Sequence, residues 1–364
     1  MKKIGFIAIV FALFMMFVAC GADSEKKAPA NKKISIVAAI YPQYDWLKNV
    51  LGERADSVDL KLLIKNGTDL HSYKPSAQDI ASIAKADLVV YVGGESDEWI
   101  EKALEATPKE GRIALNLMKA LGDRVKEEEI VEGMQAEEEH HHEHGEEAEE
   151  HDHEHHEHAE EAEEHEHEHH EHAEGHHHHH DEEEEVENDE HIWLSLKNAV
   201  ILVNAITEAL AKVDAANAET YKANAAAYVA KIQEVDANFA AVSGTEGKTV
   251  LFGDRFPFRY LVDDYGIKYY AAFVGCSAES EASFETVAFL ANKMDSLALP
   301  AIFTIDGSNG KIAHAILEAS KKSKETPVLV LNSMQSVTDV QIKAGADYLS
   351  MMLSNLEVLK TALK

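Results

Sequence analysis

The stretch SAQDIASIAKADLVVYVGG, residues 76–94, combines a helix start, a buried strand and the turn that ends the strand. Ser76 and Asp79 have the spacing of a helix cap, and the apolar residues that follow fall on one helical face. The uninterrupted apolar run at 88–92 stops at two glycines, which is typical of a strand buried on both faces of a parallel sheet. A helix that leads directly into such a strand predicts an α/β fold.

The same alternation of helix and strand extends outward in both directions. Strands are predicted at 34–39, 59–64, 88–92 and 113–115, and again at 249–252, 268–273, 301–305 and 328–331. Further helices are predicted after Tyr41, around Trp99 and at 284–297, 313–320 and 348–363. The fold class is therefore two α/β lobes, each with a parallel sheet covered by helices.

Two helical patterns lie between these halves. Ser195 caps the first, whose apolar residues continue to Leu210. The second runs from Tyr221 to Val242, and its roughly 25 residues would span about 37 Å, enough to connect two lobes. The expected organisation is an N-terminal lobe at 34–213, a linking helix at 214–243 and a C-terminal lobe at 244–364.

The N-terminus has the features of a bacterial lipoprotein signal. Two lysines precede an apolar run at 4–18, which is short for a membrane-spanning helix and suits a signal peptide. Small residues then precede Cys20. We expect residues 1–19 to be removed, Cys20 to carry lipid, and 20–33 to tether the protein outside the cytoplasmic membrane. The alternatives are a plain signal peptide and an uncleaved anchor with an incidental cysteine.

The net charge of −32 comes from one segment. Between Glu137 and Glu190 the chain has 27 acidic residues and no Lys or Arg, whereas the rest has 39 acidic residues against 34 basic ones. Such a balance argues against nucleic acid as a partner, because phosphate binding needs clustered Lys and Arg. The segment 127–189 has almost no apolar residues and is expected to be a disordered insertion in the first lobe.

Nineteen of the 22 histidines lie in this insertion. Neutral imidazoles bind zinc, copper and nickel, and the surrounding carboxylates concentrate cations locally. The densest groups, expected to bind metal, are His140, His141, His142, His176, His177, His178, His179 and His180. The alternatives are a solvated linker without function and loose metal binding without functional consequence.

Two histidines outside the insertion stand where a ligand crevice is expected. His71 lies in a predicted loop between a strand and a helix, and such loops face the crevice of open α/β sheets. His191 closely precedes the helix capped by Ser195. Taken singly, each has a simpler interpretation, as a solvated loop residue or as the chance end of the His-rich run. Together, two imidazoles on crevice loops would make half of a tetrahedral zinc site.

Several short motifs occur in order along nearly the whole mature chain. They are Tyr41-Pro42, Gly67-Thr-Asp-Leu-His-Ser-Tyr-Lys-Pro75, Ala86-Asp-Leu-Val-Val90, Trp99, His191-Ile-Trp-Leu-Ser195, Tyr265-Gly266, Glu281-Ala-Ser283, Tyr348-Leu349 and Asn355-Leu-Glu-Val-Leu359. This ordered set resembles the solute-binding proteins of zinc and manganese ABC importers, which include streptococcal lipoprotein adhesins. The resemblance implies two α/β lobes joined by a long rigid helix, with the metal held in the cleft between them. Zinc members often carry a His-rich, acidic loop where this chain has 127–189.

Two positions depart from the family pattern. The usual third ligand, ten residues before the Tyr-Gly step, is matched by Arg255, and the usual acidic ligand by Asn332. Arginine offers no acceptor, and a divalent ion about 4 Å from it would be repelled by roughly 8 kcal/mol at an effective dielectric near 20. Arg255 should therefore point away or pair with an acid.

Asp254 is the expected replacement ligand, because it follows the predicted strand 249–252 at a strand's carboxyl end. A salt-bridge or turn role for Asp254 is one alternative, and an imidazole lent by the His-rich insertion is another. Cys276 is the only cysteine besides Cys20. We expect Cys276 to be a small buried apolar residue rather than a ligand.

The sequence contains no nucleophile elbow, Walker loop or paired catalytic carboxylates, so an enzyme is not expected. With the resemblance, we expect a monomer that captures Zn²⁺ and delivers it to the membrane permease of an ABC importer. Mn²⁺ or another divalent ion is the less favoured cargo, since imidazole ligands suit zinc better. The alternatives are a surface adhesin and a metal buffer that acts through the His-rich insertion.

Overall fold

The structure is a computed structural model that describes residues 33–135, 187–243, 248–277 and 281–363. The predicted signal peptide, Cys20 and the densest histidine groups lie outside these described residues. Within the described ranges, no helix is both long and apolar enough to cross a membrane. The predicted fold class is confirmed, because the described chain forms two four-stranded sheets whose ladders are parallel.

The first sheet forms the N-terminal lobe. It contains β1 (Ser35–Ala38), β2 (Asp59–Leu62), β3 (Leu88–Tyr91) and β4 (Ile113–Asn116), in the spatial order β2–β1–β3–β4. Its helices are α1 (Tyr41–Leu51), α2 (Ala77–Lys85), α3 (Glu98–Ala106), α4 (Leu117–Leu121) and α5 (Leu196–Val213). The apolar strand β3 is buried along its whole length, as its sequence predicts. Helix α2 begins where predicted, because the Ser76 hydroxyl accepts a hydrogen bond from the backbone N–H of Asp79.

A long helix, α6 (Ala218–Ser243), runs between the two lobes over 26 residues. The apolar positions that predict this helix are buried: Tyr221, Tyr228, Ile232, Val235 and Phe239. The helix packs against α1 and α5 of the N-terminal lobe and also against the last helix of the chain. The residue boundaries proposed for the lobes and the linker stay a prediction.

The second sheet forms the C-terminal lobe and repeats the strand order of the first. It contains β5 (Thr249–Phe256), β6 (Lys268–Val274), β7 (Ile302–Ile305) and β8 (Val328–Leu331), in the order β6–β5–β7–β8. Its helices are α7 (Arg259–Tyr265), α8 (Phe284–Leu297), α9 (Lys311–Ala319), α10 (Asp339–Lys343) and α11 (Tyr348–Ala362). In this order the connections from the two central strands, β5 and β7, lead to opposite edges of the sheet. Ligand crevices open at the carboxyl ends of two such strands.

The strand β5 is longer than predicted. The expectation that it ends at Phe252 is wrong, because it continues to Phe256 with a shift of register between Phe252 and Arg255. Gly253 lies in this irregular part, where a Cβ would come within 2.4 Å of the Cα of Ala313. Asp254 therefore belongs to the irregular end of β5 and not to a loop that follows the strand.

One hydrophobic core extends through both lobes and the linking helix. Trp46 of α1 and Tyr348 of α11 meet edge to face, with ring centroids 5.2 Å apart. The carboxylate of Asp45 accepts hydrogen bonds from the Tyr228 hydroxyl at 3.2 Å and from the backbone N–H of Tyr348 at 3.3 Å. The two lobes and the linking helix are thus joined by this core and by these hydrogen bonds, and a second, smaller core lies within the C-terminal lobe.

Candidate metal centre

A short 3₁₀ turn, Leu70–Ser72, presents His71 to the cleft between the lobes. The Asp69 carboxylate starts this turn and accepts a hydrogen bond from the His71 backbone N–H at 2.9 Å. The Nδ1 atom of His71 lies 2.7 Å from the Ser96 hydroxyl. When that hydroxyl accepts the Nδ1 proton, Nε2 keeps a free lone pair. Ser96 is itself held by Glu190, whose carboxylate accepts its backbone N–H at 2.8 Å.

His191 directly precedes the short turn Ile192–Leu194 of the same lobe and is fully buried. One carboxylate oxygen of Asp189 lies 2.8 Å from both the backbone nitrogen and Nδ1 of His191. The contact assigns the ring proton to Nδ1, so that Nε2 is the atom with a lone pair. The Trp193 ring packs beside the imidazole with centroids 5.3 Å apart. The orientation of His191 is therefore fixed by a carboxylate and by an aromatic wall, as for many histidine ligands.

The two imidazoles converge through their Nε2 atoms, which lie 3.1 Å apart. A tetrahedral zinc ion with Zn–N bonds of 2.0–2.1 Å places two ligating nitrogens about 3.3 Å apart. The side-chain amide of Gln335 contacts both Nε2 atoms, at 3.0 Å from that of His71. Rotation of this amide exchanges its nitrogen and oxygen, so its carbonyl can face the same point. The spacing of the two rings fits a zinc ion.

A sulfur atom lies beside this pair. The ligand atoms of His71, His191 and Cys276 all come within 4.8 Å of one another. Cys276 is half-buried, so it does not have the fully buried apolar environment expected from the sequence. We call His71, His191, Cys276 and Gln335 the inner cluster. The cluster combines nitrogen, sulfur and amide donors, which is a donor set that zinc accepts.

The electrostatics of the cluster keep its histidines neutral. Burial lowers the pKa of His71 and of His191 to about 3, with a further contribution from the other imidazole for His71 and from Arg255 for His191. Burial also raises the pKa of the Cys276 thiol, and the nearby Glu128 carboxylate adds to the shift. Neutral imidazoles are the form that binds metal, whereas a thiol must lose its proton on binding.

The outer part of the cleft is charged. This cavity of about 390 Å³ is lined by the rim, which we define as Asp69, Asp254, Arg255 and Asp306, and it reaches inward to His71. Arg255 of the C-terminal lobe forms an ion pair with Asp69 of the N-terminal lobe. The guanidinium thus pairs with an acid, as expected for a residue that cannot ligate a cation. The pair also connects the two lobes across the cleft.

Asp254 lines the same cleft but lies outside the group of ligand atoms formed by His71, His191 and Cys276. One of its carboxylate oxygens accepts the Arg255 backbone N–H at 2.9 Å. The other is buried and has no hydrogen-bond partner among the described residues. The structure therefore brings two of the three expected ligands together and leaves the third apart. Ligation by Asp254 stays a prediction.

Gln335 and Cys276 are cluster members that the sequence did not indicate. Asn332, which matches the family's acidic ligand, instead accepts a hydrogen bond from the Met334 backbone N–H at 2.8 Å, and Gln335 three residues later reaches the imidazoles. A repeated Asp-x-His motif could have marked the ligand turns, at Asp69–His71 and Asp189–His191. In both, the aspartate accepts the histidine backbone N–H, at 2.9 and 2.8 Å.

Fold and site together define a class: a metal-binding protein of two α/β lobes that holds its ion in the cleft between them. Comparison with known proteins gives the family. The family described as "zinc-uptake complex component A periplasmic" matches residues 36–362, and the chain belongs to it. The resemblance read from the sequence motifs is thereby confirmed.

Individual relatives agree with this assignment. The chain is 32% identical over 363 residues to the "zinc-binding lipoprotein AdcA" of Streptococcus pneumoniae, covering 99% of this chain and 61% of that protein. It thus spans about three-fifths of the length of the streptococcal relatives. It is 28% identical over 364 residues to the "high-affinity zinc uptake system protein ZnuA" of Bacillus subtilis, covering 98% of that protein.

Solved structures share the fold. The Zn(II)-bound ZnuA-like domain of Streptococcus pneumoniae AdcA matches with a TM-score of 0.61 and 27% identity, over 91% of this chain and 98% of that one. The periplasmic zinc-binding protein TroA from Treponema pallidum matches with a TM-score of 0.65 over 91% of this chain and 99% of that one. Its 20% identity supports the fold alone.

Proposed function

We propose that this protein captures Zn²⁺ in its cleft, outside the cytoplasmic membrane, and delivers it to the permease of an ABC importer. One observation carries the proposal: two buried, neutral imidazoles hold their Nε2 atoms 3.1 Å apart at the inner end of the cleft. The names of the relatives support the cargo, since they are called zinc-binding or zinc-uptake proteins. The role is binding and transfer of the ion without chemical conversion.

Anchoring and collection belong to the same proposal. Lipid on Cys20 would hold a monomeric protein at the membrane surface, close to the permease, and a relative named a lipoprotein supports this arrangement. The His-rich insertion would gather cations and raise their concentration near the cleft. The Asp254 carboxylate, with its unpaired oxygen in the cleft wall, would then act on the ion's path or in its shell.

A competition titration with a zinc indicator tests the capture step. The whole chain should bind one ion tightly and further ions weakly in the insertion. His71→Ala and His191→Ala together should abolish the tight phase and leave the weak phase unchanged. A tight phase that survives in the double variant places the cargo site elsewhere and contradicts the proposal.

Cellular assays test delivery and anchoring. Cells that lack the protein should take up radioactive zinc slowly at low external zinc, and the double histidine variant should not restore uptake. Cys20→Ala should release the protein from the membrane fraction. If binding to surface partners continues without metal and uptake is unaffected, the adhesin alternative is favoured. If uptake depends on the insertion but not on the cleft histidines, the buffer alternative is favoured.

A further inference from the structure

We propose that Cys276 is the third protein ligand of the cargo ion and binds it through Sγ. The inference rests on the proposed function and adds to it the identity of a ligand. The sequence did not assign Cys276 to the site. Arg255, a different position, matches the family's usual third ligand.

The backbone brings Cys276 to the histidines. Strand β6 ends at Val274, and Cys276 follows two residues later, after Gly275. A Cβ on Gly275 would lie 2.9 Å from Cε1 and 3.0 Å from Nδ1 of His191, so only glycine lets this turn pack directly on the imidazole. Any side chain at position 275 would push the turn, and Cys276 with it, away from the cluster. The backbone N–H of Cys276 is held by the Glu128 carboxylate at 3.0 Å.

The distances suit a small closing movement. The three ligand atoms lie within 4.8 Å of one another. In a tetrahedral site with Zn–S near 2.3 Å and Zn–N near 2.0–2.1 Å, sulfur and nitrogen are about 3.6 Å apart. Sγ therefore has to approach by at most about 1.2 Å, which rotation about a side-chain bond can supply. His71 and His191 need almost no adjustment.

Binding through sulfur would give the shell its one anionic protein ligand, since His71, His191 and Gln335 offer neutral donor atoms. A sulfur–metal bond forms, the S–H bond breaks, and the proton leaves to solvent. The ion itself drives this loss of the proton, because burial and the nearby Glu128 carboxylate raise the pKa of the free thiol.

Sulfur also affects which ion is retained. Soft thiolate ligands select zinc and Cu(I) over manganese and magnesium, which prefer oxygen donors. A shell of two imidazoles, one thiolate and one amide carbonyl should therefore discriminate against Mn²⁺ more strongly than a shell completed by a carboxylate. Asp254 is the competing third ligand, and it would supply that carboxylate.

Cobalt substitution tests the inference in the whole chain. In a Cys20→Ser background Cys276 is the only thiol, because the chain has two cysteines and the His-rich insertion has none. One equivalent of Co²⁺ should produce a thiolate-to-cobalt charge-transfer band in the near ultraviolet. Cys276→Ser and Cys276→Ala should remove the band and raise the zinc dissociation constant at least about tenfold. The matched control is His314→Ala, an exposed position on helix α9, which should keep the band.

The outcomes separate the two proposals. If the band is missing from the parent while His71→Ala and His191→Ala still weaken zinc binding, Cys276 is not a ligand and the proposed function stands. If neither histidine variant changes the tight site, the proposed function fails first. X-ray absorption of the unaltered chain with one zinc is independent of folding defects in variants: it should show one sulfur neighbour at about 2.3 Å, and a shell of nitrogen and oxygen alone overturns the inference.

Discussion

The inner cluster and the rim are two ends of one cleft, and they differ in how they treat charge. The two histidines of the inner cluster are neutral, because burial lowers their pKa values to about 3. The rim is lined by acidic and basic side chains, of which Arg255 and Asp69 form an ion pair. Burial keeps the imidazole donors in the neutral form that binds a cation. At the rim, the Asp69 carboxylate balances the positive charge of Arg255.

The largest effect is expected from the loss of the most buried donor. His191→Ala removes an imidazole that is fully buried and oriented by Asp189. We expect the zinc dissociation constant of the tight site to rise at least about hundredfold, or roughly 2.7 kcal/mol. The measurement is a competition titration of the whole chain. His314→Ala, on helix α9, is the matched control and should leave the tight site unchanged.

An acidic side chain in the inner cluster should raise its affinity for metal. Gln335→Glu replaces a weak carbonyl donor by a carboxylate at the point where both Nε2 atoms converge. We expect zinc to bind about tenfold more tightly, by roughly 1.4 kcal/mol. Mn²⁺ should gain more than zinc, since manganese prefers oxygen ligands. Titration with both ions checks this, and unchanged affinity for both would show that Gln335 stays outside the shell.

Removing the rim cation should have a smaller effect. Arg255→Gln breaks the ion pair with Asp69 and takes a positive charge from the approach to the cluster. We expect the metal-free protein to lose about 1 kcal/mol of unfolding free energy or less, since the pair is partly exposed. Zinc should bind a few-fold more tightly. Urea unfolding and zinc titration of the same variant separate the two effects, and tighter binding without any stability loss would argue that the ion pair does not form in solution.

The smallest effect is expected at Asp254. Asp254→Asn keeps the shape of a side chain that lines the cleft outside the group of ligand atoms. If Cys276 completes the shell, the zinc dissociation constant should change less than about twofold, within roughly 0.4 kcal/mol. A tenfold loss in this variant, with Cys276→Ala silent, would make Asp254 the third ligand as the sequence suggests.

Most of the fold was predictable because its determinants are local. The apolar run of β3, the cap at Ser76 and the spacing along α6 are each read within one segment. The short helices α4, α7 and α10 were missed, since five to seven residues give too few turns for a periodic pattern. The extent of β5 was also missed, because Gly253 reads as a strand end unless its close approach to Ala313 is known.

The site was only half predictable for a related reason. His71 and His191 could be found because both stand on predicted crevice loops and within motifs that resemble the family. Cys276 resembles an ordinary small apolar residue, and its role depends on a turn that packs on His191 through Gly275. Gln335 could not be placed either, since it approaches the imidazoles from the other lobe. Contacts between distant segments carry no periodic signature in the sequence.

The core shared by both lobes has a consequence for thermal unfolding. Both lobes and the linking helix share one packed core, which includes Trp46, Tyr228 and Tyr348. We therefore expect that neither lobe unfolds by itself. Calorimetry should then show a single unfolding transition, with the calorimetric enthalpy equal to the van't Hoff enthalpy. Free metal ion at a concentration a hundred times its dissociation constant would add about 2.7 kcal/mol to the free energy of unfolding. The loaded protein is thus protected from unfolding as a whole, including helices far from the ion.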